Sequence, residues 1–316
     1  MTTSQKDRKR AFPDIPQPLA VPIVDNHTHI RRDPPVGPDG VMRQACNEAG
    51  MWKPPLLLSN LLEAMERCGV RAAITSGCEW PEWEWTVELA RQYPQIWAAI
   101  AIHPNEAAMH MGVREIAPDG LEPRVCEHHA IDLDTALARV AELVRDDAVC
   151  AVGETGLDYF RTGPAGREAQ VQAFRAHIEL AKDVDKPMQI HDRDAHEDVV
   201  DVLRADGAPS KTVFHCFSGD VELAQICREN GWYGSFGGSA TYPANTAIRQ
   251  AFCELPDELI LLETDAPYLT PVPFRGHPNA PWAVVYTAQF LADLRGMDVA
   301  DFCALVDENT RCVYGI

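Results

Sequence analysis

The stretch "IVDNHTHI", residues 23–30, decides how this chain reads. Asp25, His27 and His29 stand at alternate positions directly after the apolar run "VPIV" (21–24). On a strand the side-chain period is two, so all three are expected on one face. Three polar, metal-competent groups in a row cost free energy unless partners meet them. Those partners must come from elsewhere in the chain.

Outward from that stretch, apolar strand-like runs alternate with helical patterns. The runs fall at 22–27, 72–76, 96–103, 148–154, 187–191, 211–215, 232–236 and 259–265. Helical patterns separate them at 59–69, 82–92, 133–146, 167–184, 195–204, 220–230 and 244–253, with two more at 281–294 and 298–310. Ser59 reads as a helix N-cap and Gly69 as a stop. Strands alternating with helices predict a parallel sheet, and eight units in 316 residues predict a (β/α)8 TIM barrel. No Gly-x-Gly-x-x-Gly turn follows the first strand, which counts against a dinucleotide fold. A single domain is expected over 21–316, after a polar, proline-rich flexible arm over 1–20. Two irregular stretches, 31–55 and 109–130, follow strands one and three and are expected to rim one mouth of the barrel.

The net charge is −19, with 47 acidic against 28 basic residues. That opposes a long electrostatic footprint on nucleic acid, so a polyanion would have to be met locally, by metal ions or a few arginines. Ten cysteines occur without a Cys-x-x-Cys pair, and no secretory apolar segment precedes them, so reduced thiols in a cytoplasmic protein are expected. No apolar run approaches a membrane span.

The polar exceptions to the strand pattern cluster at strand C-termini: His27 and His29, His103, Glu154, His191, His215, and Asp265 with Glu263 before it. Parallel barrel strands bring those ends to one face, where active sites sit. Four histidines and two carboxylates (His27, His29, Glu154, His191, His215 and Asp265) suit two divalent ions of the zinc, manganese, magnesium, iron or nickel type, with one carboxylate bridging. Two-metal sites clamp attacking and leaving oxygens, and acidify a bound water. Asp265 is then expected to accept that water's proton. His103 and Arg193 are candidates for substrate contact, as are Ser218, near a helix start able to receive an anion, and Arg275. The remaining histidines, 110, 128, 129, 177, 196 and 277, read as surface or loop residues, and Asp158 as a helix cap. Trp80, Trp83 and Trp85 could stack on bases, but the intervening glutamates favour a packing role.

The motifs "DNHTHI" (25–30), "IHPNE" (102–106), "VGETGLDYF" (152–160), "IHDRDAHED" (190–198), "HCFSG" (215–219) and "LLETDAPYLTP" (261–271) stand in one order. Together they closely resemble the TatD family of metal-dependent deoxyribonucleases, a branch of the amidohydrolase-like (β/α)8 hydrolases. The resemblance runs from about Ile23 to the C-terminus. It implies that His27, His29 and Asp265 hold one metal, that His191 and His215 hold a second, and that Glu154 bridges them. It also implies hydrolysis of DNA phosphodiesters, commonly as a 3′–5′ exonuclease on single strands. The DNA partner is then expected to be held by short contacts near one strand end. The chain departs from the family pattern at Asn105, where a second histidine is frequent, at Thr155, where a bulky aliphatic is usual, and at His177, where glutamine is common. Two alternatives remain: a related barrel hydrolase of small phosphoesters, amides or lactones, and a metal-bearing binding protein without turnover. A carboxylated-lysine bridge would need lysine where Glu154 stands, which favours the nuclease-type site.

Overall fold

The computed structural model describes residues 11–33 and 56–316. Eight parallel strands pair in chain order: β1 (Ile23–Thr28), β2 (Val70–Gly77), β3 (Ile96–Ile100), β4 (Val149–Asp158), β5 (Met188–Arg193), β6 (Thr212–Phe214), β7 (Tyr233–Phe236) and β8 (Ile260–Leu262). The ends meet through a bridge between Thr28 and Ala266, and Asp265 N donates to the carbonyl of His27 at 2.9 Å. The arrangement is a (β/α)8 TIM barrel. Helices α1 (Leu58–Cys68), α2 (Trp80–Gln92), α3 (Pro104–His110), α4 (Leu133–Leu143), α5 (Arg167–Val184), α6 (His196–Asp206), α7 (Val221–Asn230), α8 (Thr246–Glu254), α9 (Val284–Arg295) and α10 (Val299–Tyr314) surround it.

Period-two alternation places two apolar sets on opposite strand faces, as expected for strands buried on both sides. Val24, Ile74, Ala99, Ala151, Val213 and Leu261 pack with Val313 and Tyr314 from the end of α10. Ile23, Ala73, Ile100, Val152, Ile190 and Leu262 belong to the larger core shared with the helices. Trp83 is fully buried there and donates from Nε1 to the carbonyl of Ala101, so it packs α2 onto the barrel.

Several local readings differ from the sequence expectation. Ser59 lies within the first turn of α1; no side chain at the N-cap closes that end, and Asp33 Oδ1 instead accepts from Leu58 N at 2.8 Å. Gly69 does end the helix, in the left-handed conformation (φ 86°). α3 begins directly after His103, inside a stretch read as strand and loop. β4 runs on to Asp158 by pairing with β5 as far as Arg193. The arm expected over 1–20 is described only from residue 11, and residues 11–19 lie against the barrel. Phe12 packs on Trp282, the carbonyls of Pro13 and Asp14 accept from Trp282 and Tyr286, and Leu19 N donates to Cys68 O. Of the stretch 31–55, residues 34–55 lie outside the described residues. No helix among the described residues is long and apolar enough to cross a membrane.

Candidate metal centre

Glu154, on β4, is almost fully buried and is the centre of the arrangement. Its Oε1 faces His191 Nδ1 at 2.6 Å, His215 Nε2 at 3.1 Å and His103 Nε2 at 3.3 Å. Its Oε2 faces His27 Nε2 at 3.4 Å and His29 Nε2 at 3.6 Å. Asp265 Oδ1 stands 3.4 Å from His29 Nε2. The strand ends of β1, β4 and β5, and the residues just after β3, β6 and β8, thus bring all six expected ligands and His103 together. Asp265 is aimed inward by a left-handed backbone (φ 54°), an uncommon conformation for a non-glycine residue.

The hydrogen bonds on the far side of each ring sort the histidines. Gln189 Nε2 donates to the carbonyl of Asn26 and to Tyr314 Oη, which fixes its Oε1 as the acceptor from His27 Nδ1 at 2.9 Å. His27 Nε2 then carries a lone pair, buried and with no hydrogen-bond partner. His29 Nδ1 donates to the carbonyl of Ser76 at 3.3 Å, His191 Nε2 to Asp158 Oδ2 at 3.1 Å, and His215 Nδ1 faces Glu263 Oε1 at 3.3 Å. His27, His29 and His191 each have a hydrogen-bond acceptor outside and a ligand-capable nitrogen inside, the usual arrangement of metal-ligating histidine, while the buried Nδ1 of His215 lies near Glu263 without a hydrogen bond. His103 is reversed. Its Nδ1 accepts from Asn105 N at 3.1 Å, so the inward Nε2 carries the proton and donates to Glu154. Those three therefore fit divalent ions, and His103 fits a hydrogen-bond donor. Donor atoms of His27, His29 and Asp265, and of His27, Glu154 and His215, lie within 4.8 Å of one another.

The electrostatics agree. Burial would raise the Glu154 carboxyl, but His215 and His103 beside it hold it well below the ordinary range. Burial disfavours a charged His191, yet the hydrogen bonds it donates to Asp158 and Glu154 push it up to about 9. Burial likewise opposes Asp158 ionisation, while His191 brings that carboxyl down to about 2. The pocket favours concentrated positive charge, the role divalent cations fill.

Asp158, Gln189 and Cys78 also belong to this assembly without a sequence signal that marks them, and Glu263, expected only as a strand-end carboxylate, joins them. Asp158 was read as a helix cap; it ends β4, where its Oδ1 does accept from Arg161 N in a turn while Oδ2 holds His191. Gln189 and Glu263 hold ligand rings, and Cys78 places its thiol 3.5 Å from Glu154 Oε2. Asp25 leaves the expected trio. A register shift follows it in β1, and its carboxylate accepts from Thr264 N and Oγ1 at 2.7 and 2.6 Å, tying β1 to the segment after β8.

The expected substrate contacts divide. His103, Arg193 and Ser218 line a cavity of about 710 Å³ above the centre, with Arg161 and Tyr268; Arg275 is not among its lining residues and stacks on Tyr242. Arg193 lies over the Phe160 ring. Ser218 Oγ donates to the carbonyl of Asp192, and the helix after it begins only at Val221. Asp220 caps that helix by accepting from Glu222 and Leu223 N, so its own carboxylate occupies the place expected for an anion. His110, His129 and His177 are buried, contrary to the surface reading.

The family model described as TatD related DNase matches residues 24–315. A Mycobacterium tuberculosis protein named an uncharacterized metal-dependent hydrolase TatD is 36% identical over 298 residues, covering 93% of this chain and 98% of its own length. The Escherichia coli protein named 3′-5′ ssDNA/RNA exonuclease TatD is 31% identical, covering 78% of this chain and 89% of its own. The crystal structure of YjjV, a TatD homologue from Escherichia coli, superposes with a TM-score of 0.71 at 26% identity, covering 82% of this chain and 92% of that one.

Proposed function

The chain belongs to the TatD-related DNase family of metal-dependent hydrolases, and from that premise we propose that it removes nucleotides from the 3′ ends of single-stranded nucleic acid. The observation that carries the reading is the buried carboxylate of Glu154 with four imidazoles around it and Asp265 beside them. The name of the Escherichia coli relative supports the polarity and the single-stranded substrate.

In this reading His27, His29 and Asp265 would hold one divalent ion, His191 and His215 would hold another, and Glu154 would serve both. Such ions would supply Lewis acidity toward a phosphoryl oxygen and a water acidified toward neutrality. Asp265 accepts the proton of the attacking water at its carboxylate. His103, its tautomer fixed by the Asn105 amide, presents Nε2–H as a donor to a phosphate oxygen. Arg161 and Arg193 line the cavity and meet phosphate charge. With a net charge of −19, contact is confined to a few nucleotides at the strand end.

A second reading rests on the acidic side of the same cavity, where Glu79, Glu82 and Glu106 stand. These would repel a long polyanion and favour a small phosphoester, amide or lactone. The test uses protein stripped of metal and reloaded with single ions, given 3′-labelled single-stranded DNA and RNA. Mononucleotide release that requires metal, and falls at least about 100-fold in Asp265→Asn, is expected. Metal-loaded protein that releases nothing from either strand, but hydrolyses a small aryl phosphoester, would replace the nuclease reading with the second.

A further inference from the structure

A separate group of side chains lies beside the cavity mouth, where α3 meets a 3₁₀ turn at residues 127–130. His128 Nε2 and His129 Nε2 both face Glu106 Oε2, at 2.9 and 2.8 Å, and Glu79 Oε2 is 3.7 Å from His128 Nε2. The rings of His110, His128 and His129 are mutually close, with centroids 4.1–5.9 Å apart. Cys126, His128 and His129 offer donor atoms within 4.8 Å of one another. None of these side chains belongs to the centre around Glu154.

Proton positions again separate ligands from supports. His129 Nδ1 accepts from Cys126 N at 2.9 Å, so His129 Nε2 carries a proton and donates it to Glu106, orienting that carboxylate. His110 Nδ1 donates to the carbonyl of Ile131 at 2.8 Å, so its Nε2 holds a lone pair. That atom is buried, in a residue only 5% exposed, and has no hydrogen-bond partner. A purely hydrogen-bonded cluster leaves this lone pair unmet, at a cost of about 1–3 kcal/mol. The Cys126 side chain closes the start of this 3₁₀ turn over the backbone N–H of His129, which holds its sulfur beside the two rings.

We infer that Cys126, His110, His128 and Glu106 form a further metal site of the zinc type, separate from the centre at Glu154, which clamps residues 111–126 to the barrel. A thiolate, two imidazoles and a carboxylate match zinc's preference for mixed sulfur, nitrogen and oxygen donors. Glu79 and Glu106 also line the main cavity. A cation held here would offset the negative charge of Glu79 and Glu106 at the mouth.

The test measures metal per chain in full-length protein dialysed against buffered zinc. Cys126→Ser and His128→Gln are expected to bind one ion fewer than wild type, whereas Glu154→Ala with Asp265→Ala retains that ion. Cobalt(II) gives an independent reading that needs no altered clamp: a thiolate-to-cobalt charge-transfer band should persist in Cys78→Ser. Equal metal content in wild type, Cys126→Ser and His128→Gln would overturn the inference, as would loss of the charge-transfer band in Cys78→Ser.

Discussion

At the scale of single residues, the outer hydrogen bonds of His27, His29 and His191 set these candidate ligands apart from His103. Gln189 illustrates this: its amide is oriented by Asn26 and Tyr314, and it sets the tautomer of His27. Replacing it with Leu should weaken metal binding by roughly 10–100-fold, measured by chelator competition; unchanged affinity would remove its role. His177 makes a pH prediction. It accepts from Ile102 N and donates to Thr155 Oγ1, and burial brings it from 6.5 down to about 4. The unfolded chain therefore takes up this proton first, so stability is full above pH 6.5 and falls as the pH drops toward 4. The loss at pH 5 is about 2 kcal/mol. Glutamine can make both hydrogen bonds without titrating, so His177→Gln should cost little at pH 7.5 and remove that loss in denaturant titrations at pH 5. If both proteins lose equal stability between pH 7.5 and 5, His177 is not the group responsible. The six candidate ligands were legible because each is a polar residue at the end of an apolar run in the sequence. Gln189 and Cys78 were not, since their partners lie on other strands and no local pattern marks them.

At the scale of elements, the strands and long helices were readable from period and caps, while short or locally atypical pieces were not. α3 is seven residues long and opens on His103-Pro104, which carries no apolar periodicity. β4 extends past Glu154 because a register shift between Gly153 and Thr155 lets it stay paired with β5. Gly156 makes that pairing possible: its φ is 137°, and a Cβ there would meet the His191 carbonyl oxygen at 2.1 Å. Gly156→Ala should therefore separate β4 from β5 and lower both metal content and melting temperature, whereas Gly207→Ala, at an open position with φ 76°, should cost about 1 kcal/mol and leave metal content intact. Equal metal content in the two variants would contradict this. Asp220→Ala removes the cap of α7 and should cost about 1 kcal/mol by denaturant titration; a stability equal to wild type would show that the cap contributes nothing.

At the scale of the whole molecule, a chain of net charge −19 has to bring phosphate to a site that its own carboxylates build. In the proposed reading positive charge would be concentrated at the base of the cavity, in ions held at the Glu154 centre, and Arg31, Arg161 and Arg193 line the wall. Binding of single-stranded DNA to Asp265→Asn protein should then depend weakly on salt, with a logarithmic slope shallower than about −2, since each neutralised phosphate contributes about −0.7; a slope several times steeper would reveal a long footprint. The barrel itself was legible from eight alternating units, and the packing of residues 11–19 was not, because proline-rich carbonyls bonded to Trp282 and Tyr286 leave no periodic trace. The central claim is that Glu154 bridges two ions, and anomalous diffraction from manganese-soaked crystals tests it most directly. The account predicts two peaks, both in contact with Glu154, with His27, His29 and Asp265 around one and His191 and His215 around the other. A single peak, or peaks that do not touch Glu154, would contradict it.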